Sequence, residues 1–119
     1  MNTVILTGRV TKDIETRDTS TGRKVASFTI AVDRRTKDGK ATDFFDCVAW
    51  GKTAELLGEY VKKGNNIFIS GKLATRQWTD QSGNKRYTTE VVAENIQMLD
   101  RKPKENKPVI DEDLPEFLQ

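Results

Sequence analysis

The run Gly71–Thr79 carries two cations and a tryptophan at every second position. Read as a β-strand, whose side chains alternate between two faces, it places four residues on one side: Lys72, Ala74, Arg76 and Trp78. Burying such a face gains little, because its two charged groups would lose their hydration. A polyanion that carries flat bases suits the face better, since cations meet phosphates and the indole offers a stacking surface.

The earlier run Asp43–Trp50 repeats this pattern. One face of that strand would carry Phe44, Asp46, Val48 and Trp50. The charged Asp46 between two aromatic residues indicates that this face is at least partly in contact with water. The alternative is that Phe44 and Trp50 belong to the core, which is the usual position of aromatic pairs on strands.

Composition argues against an enzyme, a metal site or a bound cofactor. The chain has no histidine, which removes the commonest general base and metal ligand, and its single cysteine allows no internal disulfide or multi-cysteine zinc site. Strand alternation turns Cys47 inward, as a small buried hydrophobic residue. A nuclease would need paired carboxylates, but the nearest candidates, Asp43 and Asp46, fall on opposite faces of their strand, and this function is rejected.

Charge is unevenly distributed along the chain. Residues 111–119 contain four carboxylates and no lysine or arginine. Removing these four from the 18 acidic residues leaves 14 against 20 basic ones, so residues 1–110 have a net charge of +6. The sequence also lacks a signal peptide and an apolar run near the ~20 residues of a membrane span. A cytoplasmic protein with a basic body and an acidic tip is expected.

Hydrophobic periodicity predicts strands at both ends of a domain and one helix between them. The expected strands are 2–10, 25–32, 44–50, 66–79 and 87–99, and the expected helix is 53–61, capped by Thr53. Gly8 would permit a bend or a close backbone approach, and Ile67, Ile69 and Leu73 are expected to point inward. This order predicts an all-β fold, a five-stranded OB-fold barrel with one short helix between strands 3 and 4. A β-sandwich is the rival, but it does not explain a helix at that position.

The last residues lack this periodicity. We expect an OB-fold domain over residues 1–100, a flexible linker over 101–110 and an acidic tip over 111–119, with the whole tail disordered. The tip joins carboxylates to apolar residues that have no core within reach, which suits a basic groove with a hydrophobic pocket on a partner protein. Its expected docking residues are Asp111, Glu112, Asp113, Leu114, Pro115 and Phe117.

Ordered motifs over essentially all of residues 1–99 resemble those of the bacterial and phage single-stranded DNA-binding proteins. They are residues 2–8, 12–17, 25–31, 44–52 and 60–64, and the resemblance is strongest in residues 71–83 and 86–92. The resemblance implies an OB-fold, a homotetramer, and sequence-tolerant binding and protection of single-stranded DNA in replication, recombination and repair. It also implies a nucleoid-associated location and a tail that recruits replication and repair enzymes.

Site residues follow from the same resemblance. The implied base-stacking residues are Phe44, Trp50 and Trp78, and the implied phosphate-binding residues are Lys52, Lys63, Lys72, Arg76 and Arg86. Two departures stand out: the loop at Arg34–Lys37 is basic where many members carry an aromatic residue, and Glu116 separates Pro115 from Phe117. An OB-fold adaptor, in which protein contacts dominate and oligonucleotides bind weakly, is the remaining alternative.

Overall fold

The computed structural model describes residues 1–100, which form six strands and one helix. In chain order these are β1 (Val4–Val10), β2 (Glu15–Asp18), β3 (Lys24–Thr36), β4 (Gly39–Trp50), α1 (Gly51–Tyr60), β5 (Asn66–Thr79) and β6 (Lys85–Met98). The predicted linker, acidic tip and disordered tail lie outside the described residues.

Five of the strands close into a barrel. The sheet order is β1-β5-β6-β4-β3-β2, and pairing of β1 with β3 through Arg9 and Val10 completes the ring. Neighbouring strands are antiparallel except β4 and β6, which are parallel and pair at Cys47–Val91 and Val48–Val92. The predicted five-stranded OB-fold barrel is confirmed, and α1 lies between its third and fourth strands. Sequence patterns missed the short β2, which pairs with the start of β3.

Gly8 lies where β1 leaves β5 and turns towards β3. A Cβ atom built there would come 2.5 Å from the carbonyl oxygen of Ala31, so only glycine allows the two backbones to approach this closely. The close approach expected at Gly8 is therefore observed, and it lets one strand serve two neighbours.

The core fills the barrel and reaches under the helix. The largest fully buried side chains are Val10, Ile30, Leu57, Ile67 and Ile69, and Cys47 is buried beside them as predicted. Leu57 comes from α1, which covers one end of the barrel. No helix within residues 1–100 is long and apolar enough to cross a membrane.

Two hairpins, β3–β4 and β5–β6, are longer than the barrel requires. The prediction that Leu73 points into the core is wrong, because 46% of its surface is exposed. Leu73 follows the last buried residue of β5, Gly71, and lies where the hairpin extends past the packed interior. Leu73 does lie on the same face of β5 as the buried Ile67 and Ile69, as alternation predicts. Within residues 1–100, however, no other part of the chain packs over that face at the position of Leu73.

The helix begins two residues earlier than expected. Trp50 is the residue before its first turn and supplies no side-chain cap, so the Thr53 cap prediction is wrong. The Thr53 hydroxyl instead donates a 3.3 Å hydrogen bond to the carbonyl oxygen of Glu94 on β6. Thr53 therefore links the first turn of α1 to β6.

Candidate nucleic-acid interface

Strands β4, β6 and β5 share one outward-facing surface, which we call the aromatic face. The pairing of the three strands defines which residues share this surface. Val48 on β4 pairs with Val92 on β6, and Val92 pairs in turn with Lys72 on β5. Because alternate side chains share a face, even-numbered residues of β4 and β5 lie outward together. The surface therefore contains all three predicted stacking residues.

These three aromatic side chains are exposed. Phe44 exposes 64% of its surface, Trp78 43% and Trp50 38%. The alternative in which Phe44 and Trp50 belong to the core does not hold. Large aromatic rings that remain in water on one side of a small barrel are available to stack on flat ligands.

Trp50 stands at the end of β4, next to the turn between β2 and β3. The guanidinium carbon of Arg23, in that turn, lies 4.9 Å from the centroid of the Trp50 ring, in the range of a cation–π contact. This contact covers part of one face of the ring and places a positive charge next to it. A base stacked on Trp50 would have a cation close to its phosphate.

Trp78 lies near the far end of the β5–β6 hairpin. Its indole N–H donates a 2.8 Å hydrogen bond to the Thr88 hydroxyl on β6. Since the side chain is partly exposed to solvent, this bond is what holds its orientation on the aromatic face. Phe44, on β4 opposite Ala31, has no such polar group to hold it.

Three adjoining grooves cross the aromatic face. The Lys72 groove is lined by Arg23, Trp50, Thr53, Lys72, Val92, Ala93 and Glu94. The Trp50 groove, of about 520 Å³, is lined by Arg17, Val25, Ser27, Val48, Trp50, Ala74, Arg76, Glu90 and Val92. The Lys12 groove is lined by Lys12, Glu15, Ser27, Phe28, Thr29, Asp46, Cys47, Arg76, Thr88 and Glu90. Neighbouring grooves share residues, so an extended ligand could follow them in sequence.

Charges along these grooves are nearly balanced. The cations are Lys12, Arg17, Arg23, Lys72 and Arg76, and the carboxylates are Glu15, Asp46, Glu90 and Glu94. Lys72 lies 3.8 Å from Glu94, and Arg76 lies 3.4 Å from Glu90. Asp46 accepts a 3.1 Å hydrogen bond from the Thr29 hydroxyl. The aromatic face is therefore polar and charged, without a strong net charge of either sign.

The other predicted phosphate-binding cations lie apart from the grooves. Arg86 pairs with Trp78 across the hairpin, and its Nε lies 2.8 Å from Asp80 in the connecting turn. That bond, followed by one from the backbone N–H of Asn84, lowers the pKa of Asp80. Lys52 is exposed on the first turn of α1. Lys63 follows the helix, and its backbone N–H donates to the Asp13 carboxylate.

The β3–β4 hairpin carries the basic loop noted in the sequence. Its Arg34 forms two hydrogen bonds to Asp43, of 2.7 and 3.1 Å, which raise the pKa of Arg34 and lower that of Asp43. Arg35 pairs directly with Lys40 on the opposite face of the hairpin, the face that also carries Phe44. On one face of this hairpin the charge of Arg34 is neutralised by Asp43. On the other face, which carries Phe44, Arg35 and Lys40 place two positive charges side by side.

Sequence patterns missed three groove cations: Lys12, Arg17 and Arg23. All three belong to the segment around β2, which lies between the expected strands 2–10 and 25–32. Glu15 and Arg17 lie on the same face of β2, and they pair with Ser27 and Val25, which lie on the β3 face that continues the aromatic face. Recognising Glu15–Asp18 as an edge strand would have placed Arg17 beside Trp50.

Comparison with known proteins agrees with this geometry. The sequence matches the single-strand binding protein family over residues 1–99. The chain belongs to that family. Relatives in this family include single-stranded DNA-binding protein 1 of Streptococcus pyogenes, 47% identical over 105 residues, which cover 86% of this chain and 81% of the relative. Single-stranded DNA-binding protein 3 of Clostridium acetobutylicum is 48% identical over 103 residues, or 84% and 72% of the two chains.

A solved structure of the same family has the same fold. The Plasmodium falciparum single-strand binding protein in complex with single-stranded DNA superposes with a TM-score of 0.77 at 26% sequence identity. The superposition covers 84% of this chain and 96% of that one. The family fold therefore extends over nearly the whole region that the structure describes here.

Proposed function

We propose that this chain binds single-stranded DNA on the aromatic face, with little dependence on base sequence. The observation that carries the proposal is the exposure of Phe44, Trp50 and Trp78 on one surface crossed by cation-lined grooves. Membership of the single-strand binding protein family supports it, as does the DNA-bound relative of similar fold.

Each chemical requirement of such binding has a side chain on this face. Every base has a flat π-surface, so stacking on aromatic rings tolerates any sequence. Lys72 and Arg76 line the grooves beside Trp50, where they would meet phosphates of bases stacked on the ring. The cations Lys12, Arg17 and Arg23 extend the same path. The remaining predicted phosphate-binding residues would contact the DNA strand only where it leaves the grooves; these are Lys52, Lys63 and Arg86.

Double-stranded DNA fits this arrangement poorly, because its bases are already stacked on one another. The decisive experiment is a gel shift of the full chain with oligo(dT), with an equal mass of duplex as competitor. We expect the oligo(dT) complex to survive the duplex. Weak oligo(dT) binding together with capture of a partner protein would instead favour an adaptor function.

We further propose that the protein works as a homotetramer in replication, recombination and repair. The assembly would extend the path for a single strand over several aromatic faces. The physical support is the edge of β1: within residues 1–100, Val4–Gly8 pair only with β5. Exposed strand edges and their apolar side chains are commonly covered by association.

Recruitment of partners is assigned to the acidic tip, which lies outside the described residues. Carboxylates repel phosphate, so Asp111, Glu112 and Asp113 cannot add to DNA affinity. With Leu114, Pro115 and Phe117 they offer an acidic and apolar peptide to a basic, partly hydrophobic groove on another enzyme. DNA binding and recruitment would then occupy different parts of the chain.

A further inference from the structure

The β5–β6 hairpin pairs its cations with carboxylates of its own. Lys72 lies 3.8 Å from Glu94, Arg76 lies 3.4 Å from Glu90, and Arg86 lies 2.8 Å from Asp80. The three cations belong to the set expected to bind phosphate. In the free protein, each of these positive charges is already close to a negative one.

Glu90 differs from the other two carboxylates in its position. It lines both the Trp50 groove and the Lys12 groove, and Arg76 does the same. Its side chain is only 22% exposed, whereas that of Glu94 is 52% exposed. Asp80 belongs to the connecting turn, where its side chain also accepts backbone hydrogen bonds from Ser82 and Asn84. Glu90 therefore lies in the middle of the proposed strand path.

The Arg76–Glu90 pair contributes little to folding. Ion pairs in contact with water add little to stability, since screening and side-chain entropy offset their attraction, and Arg76 is 58% exposed. A phosphate that approaches Arg76 must displace Glu90 or bind beside it. In either case the Glu90 carboxylate remains next to the phosphate, and the two negative charges repel each other.

We propose that Glu90 is an internal competitor for Arg76, which lowers affinity for single-stranded DNA and speeds its release. This inference rests on the proposed function of the aromatic face. Glu90 acts as a phosphate substitute that occupies Arg76 when DNA is absent and rebinds it when the strand leaves. The nearly equal numbers of cations and carboxylates along the grooves suit a protein that must be displaced from its strand.

The test is Glu90→Gln in the full chain, which keeps the side-chain shape and removes the charge. Binding to oligo(dT) is followed by tryptophan fluorescence, and dissociation by stopped flow. We expect affinity to rise about three- to tenfold at low salt, mostly through slower dissociation, and the gain to shrink as salt is added. Glu90→Asp, which keeps a carboxylate, should remain closer to the parent than Glu90→Gln.

Glu59→Gln on α1 is the matched control. It makes the same change in net charge, but Glu59 is exposed on the helix and lines none of the three grooves. We expect it to change affinity less than about twofold, as a charge separated from the strand is largely screened. If Glu90→Gln does not fold, Glu90→Ala takes its place.

Two kinds of failure are distinguishable. If the parent protein does not bind oligo(dT), the proposed function is wrong. If the parent binds and a folded Glu90→Gln variant binds equally or more weakly, only the competitor role is wrong.

Discussion

Trp78 and Thr88 lie diagonally across the β5–β6 hairpin and are joined by a 2.8 Å hydrogen bond from the indole N–H to the hydroxyl. The bond uses the only polar atom of the indole ring, in a residue that is 43% exposed. It therefore leaves the π-surface free while limiting rotation of the side chain. A ring held in this way loses little conformational entropy when a base stacks on it.

Trp78→Ala should weaken oligo(dT) binding about ten- to a hundredfold, the effect of losing one base–aromatic stack of about 1–3 kcal/mol. Tyr87→Ala is the matched control, since Tyr87 is 66% exposed on the same hairpin but lies on its opposite face, paired with Gln77. Fluorescence or anisotropy titration measures both. Equal losses in the two variants would contradict stacking on Trp78, and thermal unfolding verifies that both are folded.

Binding should weaken steeply with salt, because phosphate neutralisation releases counterions from the strand. Each phosphate contact on a single strand contributes about −0.7 to the slope of log affinity against log salt, so Arg76→Ala or Lys72→Ala should flatten that slope by about this amount. Arg34→Ala is the control: Arg34 is held by Asp43 and pairs with Ala41 on the inward face of its hairpin. A parent slope near zero would favour the adaptor function.

The barrel could be predicted from the sequence because alternation and helical spacing are local signals. Ile67 and Ile69 were placed inward and are fully buried, while Leu73 obeys the same alternation and is exposed. The difference depends on where the barrel interior ends. That point is set by contacts between strands distant in sequence, which no local pattern records.

The sequence predicts which residues of β4 and β5 belong to the candidate site, but it does not predict which residues from other parts of the chain lie beside them. Trp50 and Arg76 follow from alternation within β4 and β5, but Arg23 reaches Trp50 from a turn 27 residues earlier in the chain. The short β2 has the polar composition of a loop and is a strand because it pairs with β3. The ion pairs of Arg76 and Lys72 also depend on cross-strand register, which the sequence alone left open.

Assembly through β1 should depend on its outward side chains. Ile5 is 62% exposed, and the strand edge beside it has no partner within residues 1–100. Ile5→Lys would place a charge in the proposed contact and should reduce the tetramer to a smaller species in sedimentation. Leu56→Lys, at an exposed apolar position on α1, should leave the assembly intact. Parent protein that sediments as a monomer at micromolar concentration would contradict the tetramer.

Cys47 should resist thiol reagents in the folded protein. Burial raises the pKa of this thiol to about 12, and the nearby carboxylates Asp46 and Glu90 add to the shift. Since the thiolate is the reactive form, iodoacetamide at pH 8 should label Cys47 only when denaturant opens the barrel. Rapid labelling without denaturant would contradict the buried position.

The same shift has a consequence for stability at alkaline pH. The folded state keeps the Cys47 proton above the pKa of 9.0 expected of an unperturbed thiol, whereas the unfolded state loses it. The free energy of unfolding should therefore fall as pH rises from about 9 towards 12, by up to roughly 1.4 kcal/mol per pH unit from this group. Cys47→Ala, measured by urea unfolding at several pH values, should lack this part of the decline.

Deleting residues 111–119 should separate partner recruitment from DNA binding. The deletion removes four carboxylates, so oligo(dT) affinity should stay equal or rise slightly, most visibly at low salt, where charges interact over longer distances. Capture of helicase, nuclease or polymerase partners by the immobilised protein should disappear. Phe117→Ala is the finer test, because it keeps every charge of the tip and removes its aromatic ring.

The position of Glu116 affects what result is expected of Phe117→Ala. It separates Pro115 from Phe117, so the ring stands one position further from the proline than in the usual family pattern. If Phe117→Ala reduces capture as much as the deletion does, the ring still fills a pocket on the partner. If capture is unchanged, the carboxylates alone carry recruitment, and raising the salt concentration should then abolish it. Loss of oligo(dT) binding on deletion would contradict the division of the chain into a DNA-binding body and a recruiting tip.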